Sequence, residues 1–211
     1  WSGPDQRVLV HEQDEVEMND RENTLRAIRF ETPEHIPVHF HINPSCWKSY
    51  PQEALFDLME SHAVLFPGFR RPGGAYIPDF MLNTCKDKPY RDDFGCIWET
   101  TQDGITGTVT GHPLPDWMNF DNYTIPDPHQ SMGLGPVDWP SVARNMTDRK
   151  RNGDLTYGEL RHGHTFLQIC DIRGYQNVLF DMMDEEPRLE KLIAMVEEFN
   201  LFIVETYIKM G

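Results

Sequence analysis

The run Ile36-Pro37-Val38-His39-Phe40-His41-Ile42 alternates apolar and polar side chains with a period of two, the pattern of a strand with one buried face. It predicts the opening strand of an α/β sheet, with His39 and His41 on the same side. Upstream, Asp20 is read as the N-cap of an amphipathic helix that carries Leu25, Ile28 and Arg29 and ends at Thr32-Pro33. Downstream, Gln52 to Met59 has helical spacing, and 65–74 is a loop rich in proline, glycine and arginine. Ala75 to Leu82 is read as a second strand interrupted by Pro78. Cys96 to Thr100 and Ile105 to Thr110 flank Thr101-Gln102-Asp103-Gly104, a turn signal that predicts an antiparallel hairpin.

The second half is helical by pattern. Prolines crowd 113–140 and predict a long irregular connection. Pro140 is placed as the first residue of a helix running to about Asn152, where Asn152-Gly153 stops it. Leu155 to Leu160 is read as a short strand. His164 to Met183 and Pro187 to Met210 are read as two helices, the second with an i, i+3, i+4, i+7 stripe and Gly211 at its C-cap.

Bulk composition narrows the function classes. The 211 residues are 39% hydrophobic and 25% charged, as in globular proteins. The formal charge of −15 opposes nucleic acid and anionic lipid as partners. No stretch approaches the roughly 18 apolar residues of a membrane span, and the first thirty residues lack a signal core, so the expected compartment is the cytoplasm. Cys46, Cys85, Cys96 and Cys170 form no CxxC pair and are read as reduced thiols. Residues 1–17 are polar and acidic and are read as a poorly ordered leader, with 18–211 as the folded part.

Three segments, in order, resemble the uroporphyrinogen decarboxylase superfamily, in particular its decarboxylase-like and corrinoid methyltransferase-like branch. They are Arg21-Glu22-Asn23-Thr24-Leu25-Arg26-Ala27-Ile28 leading through Pro33-Glu34-His35-Ile36-Pro37-Val38, then Asp92-Asp93-Phe94-Gly95-Cys96-Ile97-Trp98-Glu99 with His112-Pro113-Leu114-Pro115-Asp116-Trp117, and finally Ile172-Arg173-Gly174-Tyr175-Gln176-Asn177-Val178-Leu179-Phe180-Asp181. The resemblance implies an incomplete (β/α)8 TIM barrel, its N-terminal part, with the β-hairpin as an insertion. A whole barrel takes about 250 residues, so this chain would stop before closure. The implied activity is tetrapyrrole- or corrinoid-linked: zinc-dependent methyl transfer to or from a corrinoid, or porphyrinogen decarboxylation as the alternative. The implied partners are a small-molecule tetrapyrrole or methyl donor and a corrinoid protein. A non-catalytic partial chain is the rival reading.

Candidate site residues follow from the strand assignments, because barrel sites form at the C-terminal ends of strands. His41, His112 and His164 are the catalytic candidates, with His162 beside them, because an imidazole at a strand exit can act as acid, base or ligand. His39, Asn43 and Asp79 are the substrate-binding candidates, Asp79 in the role of the carboxylate that binds pyrrole N–H groups in the family. His39-x-His41-x4-Cys46 offers a candidate soft-metal set with Cys46 as thiolate; the competing reading places the histidines in the barrel lining and Cys46 as a buried thiol. The family's decarboxylases hold substrate carboxylates with an arginine-bearing loop after strand 1. Here no arginine lies between Arg29 and Arg70, which favours the methyltransferase branch. Arg173 is read as a structural salt-bridge residue, and Trp98, Trp117 and Trp139 as packing residues.

Overall fold

Asp92 organises the sheet from inside a tight turn. Its carboxylate accepts from the Cys96 backbone N–H and the Trp98 indole N–H, both at 2.8 Å, and its backbone pairs with Cys96 across the turn. Gly95 takes φ +90°, which a side chain would resist, and lets the chain reverse there. The consequence is an antiparallel three-stranded sheet in the order β1 (Tyr90–Arg91), β2 (Ile97–Glu99), β3 (Thr108–Gly111). Trp98 pairs with Val109 and Glu99 with Thr108, so the expected antiparallel pairing is present, but the second strand starts at Thr108 rather than Ile105 and residues 100–107 form a longer connection than the tight turn read at 101–104.

The computed structural model describes residues 19–38, 40–66 and 68–211. The chain divides into two compact units, Trp1–Val38 and His39–Gly211. In the first, α1 (Asp20–Ile28) is capped by Asn19, whose side chain accepts from Glu22 N; the cap is one residue earlier than the sequence predicts. The buried Asn23 side chain accepts from Glu34 N and donates to His35 O, which fixes the chain that leaves the helix. The leader assignment lies outside the described residues.

The second unit carries α2 (Cys46–Ser49), α3 (Gln52–Ser61), α4 (Trp139–Arg151), α5 (Phe166–Arg173), α6 (Tyr175–Met183) and α7 (Pro187–Met210). Its core joins Phe94 and Cys96 of the turn before β2, and Trp98 of β2, to the apolar stripe of α7, Leu192, Val196, Phe199 and Ile203. Phe94 meets Phe199 edge-on at 5.1 Å between ring centres. Side chains of roughly this size each contribute about 1.5–3 kcal/mol on full burial, so this seam holds the sheet to the helices.

The expected barrel fragment is not formed. The described chain is mostly helical, with seven helices and one small antiparallel sheet that is not closed, and no parallel strand pair occurs among the described residues. Ile36–Val38 and Phe40–Ile42 are not strand, and Ile36, Val38 and Phe40 are at least half exposed. Alternation supplies a face to bury, but a strand also needs a neighbour for its backbone groups, and Pro37 withdraws one donor. Ala75–Leu82 and Leu155–Leu160 likewise form no strand. The helix expected over His164–Met183 is broken at Gly174, whose φ of +89° ends α5 and starts α6.

That break places Arg173 and Asp181 face to face. Arg173 Nε donates to Asp181 at 2.8 Å, and its Nη1 donates to the carbonyls of Leu114 and Pro115 at 3.1 and 2.6 Å. The guanidinium lies 4.6 Å from the Trp117 ring centre, and the Trp117 indole donates to Asp181 at 3.0 Å. The structural role read for Arg173 is therefore met, and the second and third family-like segments pack on each other. Replacing Asp181 with alanine leaves a buried guanidinium without its counter-charge. We expect Asp181→Ala to lower the unfolding free energy by about 3 kcal/mol, measured by urea denaturation; a loss near that of a surface substitution contradicts this clamp.

Candidate functional site

Arg161 sits in the segment before α5 with its side chain almost wholly enclosed. It reaches Asp92 through Nη1 at 3.4 Å and Asp171 through Nη2 at 3.3 Å. Its guanidinium also lies over Trp98 and Phe94, 5.4 and 5.7 Å from the ring centres. Two carboxylates share one cation, so the cluster holds an excess of negative charge. Burial pushes the Asp171 carboxyl up to about 6, and repulsion from Asp92 adds to this, while Arg161, His112 and His162 pull it back.

Asp171 opens onto a cavity of about 640 Å³. Trp98, Thr108, His112, His162, Cys170 and Tyr175 are among its walls. His112, just after β3, is half-buried and fixed by a 2.7 Å hydrogen bond between its Nδ1 and the Asp171 carbonyl. That carbonyl can only accept, so Nδ1 carries the proton and Nε2 is the ring's remaining acceptor when neutral. A second cavity of about 400 Å³ shares Trp98, Thr106 and His162 and also touches Arg161 and Glu159. The arrangement offers a carboxyl that titrates near neutrality beside an oriented imidazole, the two parts of an acid–base site.

Of the residues singled out from sequence, His112 and His162 reach this site. His164 is exposed and contacts its neighbour Thr165 at 3.3 Å. His41 and Asp79 are exposed, and Asp79 belongs to no strand. The Asn43 carboxamide accepts from Ser45 N and Ser45 Oγ at 2.9 and 2.8 Å and so turns the chain into α2. Cys46 begins that helix, half-buried. His39 lies outside the described residues. Among the described residues, no three of His, Cys, Asp and Glu converge as a metal-holding group. Burial raises the Cys96 and Cys170 thiols above their ordinary value, which keeps both protonated at neutral pH.

Asp92, Arg161 and Asp171 were not candidates from sequence. A signal was present: Asp171 and Arg173 interrupt the apolar run Ile169-Cys170-x-Ile172, and charged residues inside such a run are seldom buried unless paired.

The folded carboxyl of Asp171 binds its proton more tightly than an unfolded aspartate, whose value is near 4. Stability contributed by that protonation is complete below about pH 4 and is lost as pH rises through about 6. The Tm of the native chain minus that of Asp171→Asn is therefore expected to fall between about pH 4.5 and about pH 7.5; a pH-independent difference contradicts the assignment. Comparison with family models, curated proteins and solved structures finds no match for this chain.

Proposed function

We propose that this chain belongs to a uroporphyrinogen decarboxylase superfamily enzyme acting in a tetrapyrrole-linked reaction, and that its own chemical contribution is proton transfer at Asp171. The observation that carries the second part is the Asp171 carboxyl, held near 6 between Arg161 and the oriented His112 at the wall of a ligand-sized cavity. The first part rests on the three family-like segments and not on a barrel.

Within that reading, the donor chemistry separates the two expected reactions. Zinc would supply an activated thiolate for methyl transfer, but the residues described here do not fit it. Three ligands do not converge, and the two buried thiols are shifted away from thiolate. Methyl transfer to or from a corrinoid would need ligands from outside the described residues. Decarboxylation instead needs a proton for the carbon that loses CO2. Protonated Asp171 can donate that proton and regain it from solvent, with His112 orienting the substrate group. Both guanidinium arms of Arg161 are occupied by Asp92 and Asp171, so substrate carboxylates would be held by groups other than Arg161.

The test measures CO2 release from uroporphyrinogen, and methyl transfer from methylcobalamin, by the purified chain with and without added zinc. The expected result is zinc-independent CO2 release that Asp171→Asn lowers about 10²- to 10⁴-fold. Activity that appears only as zinc-dependent methyl transfer, or CO2 release that survives Asp171→Asn, overturns the assignment. A chain active in neither assay supports the non-catalytic reading.

A further inference from the structure

A groove of about 760 Å³ runs between α7 and the proline-rich connection, with the seam residue Phe199 at its base. Its floor is apolar, with Pro126 and Pro128 on one wall and Phe202 on the other; Phe202 is held by the His129 ring at 4.3 Å between centres. Its rim carries Glu197, Glu198 and Glu205, all exposed, and no lysine or arginine is among its lining residues. Glu205 is paired with Lys209, whose exposed Nζ lies 3.3 Å away. The spacing of the three carboxylates follows the helix, Glu198 and Glu205 two turns apart on one flank.

We propose that this groove docks a basic amphipathic helix of a partner protein, with apolar side chains on the floor and lysines or arginines against the glutamate rim. Charge complementarity selects the occupant. An apolar floor alone would accept any hydrophobic segment, whereas Glu197 and Glu198, which form no ion pair among the described residues, together with Glu205, shared with Lys209, on a chain of net charge −15 repel acidic segments and steer basic ones. The fixed proline wall lowers the cost of ordering the groove on binding. This docking is independent of the acid–base site, since none of its lining residues belongs to that cluster.

The experiment uses a fluorescein-labelled helical peptide of leucine and lysine, and a leucine–glutamate counterpart, at about 0.15 M salt to screen diffuse attraction. Binding is read by anisotropy on the native chain, on Glu197→Lys/Glu198→Lys/Glu205→Lys, and on Asp148→Lys/Asp184→Lys/Glu190→Lys, which changes net charge equally elsewhere. Circular dichroism verifies the fold of each. The expected result is that the basic peptide binds and the acidic one does not, with affinity falling at least tenfold in the groove variant and less than threefold in the control. Equal loss in both variants, no binding of the basic peptide, or sedimentation showing a second copy of the chain in the groove overturns the proposal.

Discussion

One guanidinium constrains this molecule more than any other group. Arg161 joins Asp92, which turns the sheet, to Asp171, which sits on a core helix, across sequence separations of 69 and 10 residues. A cation enclosed this fully is costly unless both partners stay in place, so the hairpin and α5 are held in one relative position. The same enclosure, applied to a carboxylate that must share its cation, gives Asp171 its raised affinity for a proton. Fold and candidate chemistry therefore have a common origin.

A second clamp repeats the logic on the other side of α5. Arg173 spans Asp181 and the carbonyls of Leu114 and Pro115, with Trp117 stacked on it. Between the two clamps, His112 bonds to the Asp171 carbonyl and Leu114 N to the Ile172 carbonyl. The segment after the hairpin is thus fastened along the backbone of α5, which gives the His112 ring a fixed orientation at the cavity.

What could be read from sequence was what local physics decides. The stripe Leu192, Val196, Phe199, Ile203 and the Pro187 start specify α7 to the residue, and Pro140 with Asn152-Gly153 frames α4 to within a residue. The hairpin follows from alternation around Asp103-Gly104. Ile36–Ile42 shows the opposite case: its period of two fits a strand, but only partners distant in sequence can make one, and none pairs with its described residues. Gly174 was hidden for a related reason, since apolar spacing continues through it and the break shows only in φ. His112 was legible as a candidate because it follows a strand; Asp171 and Arg161 were not, because their meaning lies in each other.

Arg161 and Asp92 interact directly inside the core. A double-mutant cycle with Asp92→Asn, Arg161→Met and the pair, followed by urea unfolding, measures that interaction. The expected coupling energy is about 1–3 kcal/mol, the double variant being less destabilised than the sum of the single ones; additive effects would mean that the two side chains do not interact.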